Sequence, residues 1–374
     1  MSPVQASLAK ARVRAEAEAL LAAFRGAGAE PVEADILQPA ETLLDLYGED
    51  IRSRAYVTSD PLRGEMMLRP DFTVPVVQMH MAEGADPARY CYLGEVFRKQ
   101  EHRGTRPAEF LQVGYEVFDR AAPSAADAEV FALFSDLLAP LGLRASTGDI
   151  GILMAAVEGL RTSAPRKAAL MRHIWRPRRF RTLLDRFGGR VPLPEARARM
   201  LAHVGSAPVE VLLDQAGPFI GLRSAGEISA RVAQLLDDAL TPPLAQGEVD
   251  LLDDLLDLRD RSPAALERLR DLAVDMPSLS PAVERMEMRL AALDARGVDV
   301  DELDFEASYG RTTLEYYDGF VFGFYAETRP DLPPVATGGR YDALTRVLGQ
   351  GRSIPAVGGI IRPAITAMLR ENGC

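Results

Sequence analysis

The sequence predicts an α+β fold in which an antiparallel sheet is flanked by helices and interrupted by a mostly helical insert. Two observations carry this. Segments of aromatic and β-branched composition gather at 54–118 and again at 304–340, and a long Leu-, Ala-, Arg- and Asp-rich stretch with helical spacing lies between them. The strand-like segments also follow one another instead of alternating with helices, which favours antiparallel pairing over βαβ units. The expected organisation is a core whose first part spans 1–145, a mostly helical insert over 146–300, and a second core part over 301–374.

The elements follow in order. Residues 4–25 place Leu8, Leu20, Leu21 and Phe24 among Ala, Arg and Glu, an amphipathic helix closed by Gly26-Ala27-Gly28. Residues 31–37 alternate apolar and acidic side chains, as a strand does. A short helix is expected over 41–50 and strands over 54–58 and 65–68. Residues 70–82 read as a helix opened by Pro70-Asp71, since proline suits the first turn and an acid its positive end. Residues 90–97 and 109–118 form a long hairpin joined by the polar loop 98–108. A helix over 124–140 has Ser124 as its N-cap. The insert breaks at Gly188-Gly189, Pro242-Pro243 and Pro277. Strand composition returns over 304–327 and 332–340, and 361–370 close as a helix.

Composition narrows the function. With 374 residues, 47% of them apolar, the chain can bury a sizeable core. No run approaches the length of a membrane span, and Met1–Phe24 lacks the apolar block of a signal peptide, so a cytoplasmic protein is expected. Cys91 and Cys374 make neither a disulfide framework nor a thiolate metal site. His80, His102, His173 and His203 show no paired spacing, so no metal and no cofactor is expected. The net charge of −11 opposes non-specific nucleic-acid binding.

Four segments carry chemistry: Leu68–Thr73; Phe97-Arg98-Lys99-Gln100 with Arg103, Arg106 and Phe110–Phe118; Leu314–Phe322; and Gly338–Asp342 with Pro355–Gly359. On one strand Gln112 and Glu116 share a face. Gly114 between them leaves open space there, and Arg98 lies across the hairpin. Such a pocket suits a zwitterion, its ammonium on the acid and its carboxylate on the arginine. Taken alone, the same alternation also describes a solvated sheet face, and the Tyr316-Tyr317 run a core or turn.

Together, and in this order, the segments resemble histidyl-tRNA synthetase, a class II synthetase, over roughly 26–145 and 300–365. Motif 1 lies around Pro39, motif 2 runs from Arg98 through Gln112 to Glu116, the Tyr-Tyr signature is at Tyr316-Tyr317, and motif 3 is at the end. The resemblance implies a class II synthetase-like sheet with a histidine pocket. Asp71, Thr73 and Gln112 would hold the α-amino group and Arg98 the carboxylate. Glu116 and Tyr317 would take the two imidazole nitrogens, with Tyr316 and Tyr341 lining the site.

The departures matter as much. Ile365 stands where the family's motif 3 has its ATP-clamping arginine, and Thr312 stands where another arginine stabilises charge; Arg311, one residue away, would point to the opposite face. Gln100 replaces a glutamate. The chain stops after the motif 3 helix, so no anticodon-binding domain is expected. In these departures the chain resembles the histidyl-synthetase-like regulatory subunits of ATP phosphoribosyltransferase. That implies a non-catalytic subunit, without catalytic residues, which assembles with a short-form ATP phosphoribosyltransferase catalytic subunit. It would be required for the first step of histidine biosynthesis and carry feedback inhibition by L-histidine, as a homodimer within a hetero-oligomer and without tRNA. The family's usual Gly-x-x-Asp-x-x-Pro opening is not found. A truncated synthetase or an amino-acid ligase of the same fold is the competing reading, and a scaffold with an idle pocket is another. The basic segment Arg172–Arg181, with the chain's single tryptophan, is either a solvated surface anchored by Trp175 and Phe180 or a partner-docking surface.

Overall fold

The first predicted helix forms as α1 (Pro3–Gly26), and its Ala17, Leu20 and Phe24 are buried against one face of a nine-stranded sheet. The computed structural model describes residues 3–41, 55–100, 107–217, 221–311 and 316–371. Residues 42–50 of the helix expected over 41–50, and Arg103, Arg106, Thr312 and Cys374, lie outside them.

In chain order the strands are β1 (Glu30–Pro31), β2 (Leu37–Pro39), β3 (Val57–Asp60), β4 (Gly64–Leu68), β5 (Ala88–Phe97), β6 (Glu109–Phe118), β7 (Arg144–Asp149), β8 (Arg259–Arg261), β9 (Asp304–Glu306), β10 (Phe320–Tyr325), β11 (Ala336–Arg340) and β12 (Ala356–Ile361). The large sheet runs β1-β5-β6-β12-β11-β10-β7-β9-β8, and β2-β4-β3 form a second, smaller one. The predicted fold class is the observed one. The large sheet is antiparallel except at β1–β5 and β7–β9, which pair in parallel.

Helices α2 (Thr73–Glu83) and α3 (Pro123–Leu138) belong to the first half of the chain. Then come α4 (Ile150–Gly159), α5 (Ala164–Arg172), α6 (Pro177–Phe187), α7 (Glu195–Val204), α8 (Val209–Gln215), α9 (Ala225–Leu240), α10 (Gln246–Asp257), α11 (Ser262–Asp275) and α12 (Ser280–Asp294). The chain closes with α13 (Asp342–Leu348) and α14 (Pro363–Glu371).

Strand alternation divides the large sheet into two faces. Val113, Tyr115, Val117, Phe320, Phe322, Val357 and Ile361 point toward α1, α3 and α14 and form an apolar core with Phe131 and Phe134. Each such aromatic or aliphatic side chain contributes about 1.5–3 kcal/mol by leaving water. The opposite face carries Tyr92, Gln112, Gly114, Glu116, Gly358 and Ile360, which the ladders β5–β6 and β6–β12 bring side by side.

Several local expectations change. The strand expected over 31–37 is two short strands in different sheets, because the chain crosses from β5 to β4 between them. Helix α2 starts at Thr73, not Pro70, since the Pro70 carbonyl is already occupied by Arg98 Nε at 2.9 Å and the preceding Arg69 pairs with Phe97 and Ile36 through its backbone. Ser124 is not an N-cap. Helix α3 begins at Pro123, and Asp119 Oδ1 accepts instead from the Ala121 and Ala122 amides at 2.8 and 3.0 Å. Residues 307–311 and 316–319, inside the expected strand 304–327, do not form a strand.

A buried charge network ties the helices to the sheet. Arg340 of β11 donates to Asp127 Oδ1 of α3 from Nε at 3.0 Å and Nη2 at 2.7 Å, while Arg289 of α12 reaches Asp127 Oδ2 at 3.5 Å and Asp149 Oδ2 at 2.9 Å. Asp149 also caps α4 through the Gly151 amide at 2.9 Å. Asp127 therefore faces two guanidiniums in a buried site, where removing one partner strands the others. Asp127→Ala should lower the unfolding free energy by about 3–5 kcal/mol in a urea titration. A loss under about 1 kcal/mol, the scale of an exposed pair, would show that the network is dispensable.

Candidate functional site

The segment Leu68–Thr73 becomes a pocket wall because Arg69 is clamped. Its Nε donates to the Glu95 carbonyl at 2.8 Å, and its guanidinium lies 4.0 Å from the centre of the Phe72 ring. Phe72 in turn stacks on Tyr92 at 4.4 Å with an 11° tilt. These contacts hold Asp71 and Thr73 over the polar face of β5 and β6.

Asp71, Thr73, Arg98, Gln112, Tyr316, Tyr317 and Tyr341 line one cavity of about 40 Å³, together with Thr337, Gly358, Gly359, Ile360 and Arg362. Residues from four separate stretches of the sequence thus converge on one place. Gln112 is buried, and its Oε1 accepts no hydrogen bond among the described residues. A buried acceptor left in that state costs about 1–3 kcal/mol, and a cationic donor entering the cavity would relieve it.

Glu116 does not line the cavity. It stands behind it, buried, with Oε2 accepting from the Tyr341 hydroxyl at 2.5 Å and Oε1 accepting from Tyr92 at 2.8 Å and Thr73 at 3.3 Å. Tyr316 extends the chain by donating to Thr73 Oγ1 at 3.3 Å. Nor does Gly114 leave ligand space as its sequence position suggested. A Cβ there would sit 2.1 Å from the Tyr92 ring, so the missing side chain makes room for that tyrosine. At Gly358 a Cβ would fall 1.5 Å from Glu116 Oε2, so this glycine admits the carboxylate.

Arg98 is placed by its bond to the Pro70 carbonyl and lies 5.8 Å from the Phe110 ring centre. Arg311 turns away from the cavity, donating from Nε to the Ile174 carbonyl at 2.6 Å and resting on Phe180 at 4.8 Å. Ile365 is buried in the apolar core on the other side of the sheet. Trp175 donates from Nε1 to the Tyr317 carbonyl at 3.1 Å. The basic segment thereby touches the pocket through its tryptophan.

Sequence reasoning missed Tyr92, Thr337, Ile360 and Arg362. The last two were accessible in principle. They continue the alternation from Gly358, and every second residue of a strand shares a face.

Burial pushes the Glu116 carboxyl up from its ordinary 4.5 to about 7, against the three hydroxyls that lower it, and nearby Asp71 adds to the rise. Asp318 is pushed up from 3.8 to about 7 by burial and by Asp342, although the Ala343 and Asp342 amides oppose the shift. A carboxyl whose folded value is raised contributes stability that is complete below the unfolded value and is lost as pH rises through the folded one. Stability should therefore decline between about pH 4.5 and 7. The Glu116 share is on the order of 3 kcal/mol. Glu116→Gln should flatten this decline in melting temperature measured from pH 5 to 8. An unchanged slope would mean that Glu116 ionises freely in the fold.

Comparison with known proteins places this geometry. The family model described as histidyl-tRNA synthetase matches residues 5–251 and 231–363. An ATP phosphoribosyltransferase regulatory subunit from Brucella anthropi is 33% identical over 345 residues, covering 88% of this chain and 90% of the relative. The corresponding protein from Brucella canis is 32% identical over the same coverage. Among solved structures, an ATP phosphoribosyltransferase regulatory subunit/histidyl-tRNA synthetase from Bacillus halodurans superposes with a TM-score of 0.67 at 20% identity, over 96% of this chain and 79% of that one. A histidine–tRNA ligase subunit from Alicyclobacillus acidocaldarius gives 0.58 at 25% identity, over 97% and 94%. Among the described residues, no helix is long and apolar enough to cross a membrane.

Proposed function

Since the chain belongs to the family of ATP phosphoribosyltransferase regulatory subunits, we infer that it is a non-catalytic subunit whose pocket binds free L-histidine and transmits feedback inhibition to a short-form catalytic partner. The partner would carry the first step of histidine biosynthesis and need this chain for activity. The active assembly on this reading is a hetero-oligomer built on a homodimer of this chain.

The observation that carries the reading is the polarity of one cavity. Asp71 supplies an acid to the lining of that cavity. Arg98 supplies a cation to the same lining. An α-ammonium would meet Asp71, Thr73 and the vacant acceptor Gln112 Oε1, and a carboxylate would meet Arg98. Tyr341 donates its proton to Glu116, which leaves its oxygen able to accept from an imidazole N–H, and Tyr317 is placed for the other nitrogen. Glu116 would thus recognise the ring through Tyr341 and not by direct contact. A cavity of about 40 Å³ is smaller than the roughly 150 Å³ that admits benzene. Histidine entry would therefore require the lining to move. A ligand that binds one arrangement better shifts the population toward it, which is the basis of an effector.

The reading also excludes aminoacyl transfer. Ile365 in the core offers no cation to ATP, and Arg311 is held by Ile174 and Phe180. Preorganised charge partners are worth orders of magnitude in rate. ATP–pyrophosphate exchange with histidine should stay at background, and clear turnover would restore the synthetase or ligase reading.

The direct test mixes this chain with a short-form ATP phosphoribosyltransferase and assays product formation with and without L-histidine. Activity should require this chain and fall with histidine. Activity that ignores both would refute the assignment. Glu116→Ala should weaken the inhibition at least about tenfold by leaving Tyr341 unheld, while co-purification with the partner persists. In the isolated chain, Trp175 fluorescence should change on histidine addition, because its indole N–H is bonded to the Tyr317 backbone. A flat response together with no heat in calorimetry would mean that the pocket is idle.

A further inference from the structure

Arg98 is not the only guanidinium in the cavity. Arg362 follows β12 directly, and the last ladder pair of that strand with β6 is Ile361–Val113. Continuing the register brings Arg362 beside Gln112. Continuing the alternation from Gly358 and Ile360 puts its side chain on the pocket face, and it lines the cavity. Its backbone amide donates to the Val335 carbonyl at 2.9 Å and its Nη1 to the Pro334 carbonyl at 2.5 Å. Arg98 is held in the same manner, by one bond from Nε to the Pro70 carbonyl. Each arginine is thus oriented by a backbone oxygen, and neither forms an ion pair with a carboxylate among the described residues. The two cations are close enough that Arg98 helps lower the Arg362 pKa to about 10, behind burial as the main cause. Two partly buried like charges with no ion-pair partner among the described residues are costly unless an anion joins them.

We propose that Arg362 and Arg98 together grip the carboxylate of the bound amino acid, and that Arg362 makes the pocket selective for a free carboxylate over an alcohol or amide at that position. This rests on the histidine-binding reading and sharpens it. The motif 3 arginine that the synthetase resemblance places at Ile365 is absent from the pocket. Arg362, three residues earlier and at the end of the strand, supplies a cation from a different direction, aimed at the ligand's carboxylate. The acidic end of the cavity keeps the ammonium, so the ligand is fixed head to tail and its side chain is directed at the tyrosines.

Calorimetry on the full chain with L-histidine and with L-histidinol, which replaces the carboxylate by an alcohol, tests this. The wild type should prefer histidine by about 10–100-fold, the scale of a charged hydrogen-bonded contact. Arg362→Met should weaken histidine by a similar factor and leave histidinol within about twofold. Arg362→Lys should recover part of the preference, because a point charge lacks the bidentate fork. Equal weakening of both ligands by Arg362→Met would reduce Arg362 to a structural support, and unchanged histidine affinity would remove it from the site. If the wild type binds neither ligand, the histidine reading itself falls and takes this assignment with it. If it binds both equally, only the carboxylate grip is refuted.

Discussion

The Glu116 carboxylate is the point on which the polar half of the molecule is organised. It lies in the middle of β6, buried, and its two oxygens accept hydroxyls from β5, from the start of α2 and from the residue after β11. The energetic logic is that of a buried charge-bearing group, which survives only when its lone pairs are filled. The surrounding sequence bends to that need. Gly358 has no side chain because Glu116 Oε2 occupies its space, and Gly114 has none because Tyr92 does. The glycine-rich centre of the sheet is therefore a housing for polar groups.

From that centre, order propagates outward in two directions. Toward the first half of the chain, Tyr92 stacks on Phe72 and Phe72 meets Arg69, which is anchored to β5. This is what turns Leu68–Thr73 into a wall. Toward the second half, Tyr341 is the residue between β11 and α13. Its neighbour Arg340 pairs with both Asp127 and Asp342, and Asp342 Oδ1 also accepts from the Ala356 amide. Arg340 leads to Asp127 and, through Arg289, to Asp149 at the start of the helical insert. The pocket and the insert thus share a chain of buried polar contacts. A second link runs through Trp175 and Tyr317. Arrangements of this sort have few intermediate states, since half-satisfied buried polar groups are expensive. That is the physical setting in which a small ligand can bias a large element.

The same chemistry sets what a pocket of synthetase shape can hold. An amino-acid site needs a place for an ammonium, a carboxylate and a side chain, and on the proposed reading these would come from β5, β6, α2 and the tyrosine segment. Phosphate chemistry needs cations at other positions. Here Ile365 is sequestered in the apolar core and Arg311 is engaged with the insert, so the guanidiniums that line the cavity are those of Arg98 and Arg362.

The sequence by itself determined the fold class, the long β5–β6 hairpin, strand β11, the closing helix and the family, because strand alternation, turn residues and motif order are local or ordered along the chain. It also named most of the cavity lining, since Asp71, Thr73, Arg98, Gln112 and the tyrosines stand in recognisable motifs. Three things were decided only by tertiary structure. Glu116 withdrew behind the cavity because hydroxyls from distant segments filled its acceptors. The space at Gly114 went to Tyr92, a residue twenty-two positions earlier that only the β5–β6 register brings opposite it. Arg362 entered the pocket because strand parity carried it there. Each depends on pairing between residues far apart in the chain, and that pairing is set by the sheet as a whole, not by any local pattern.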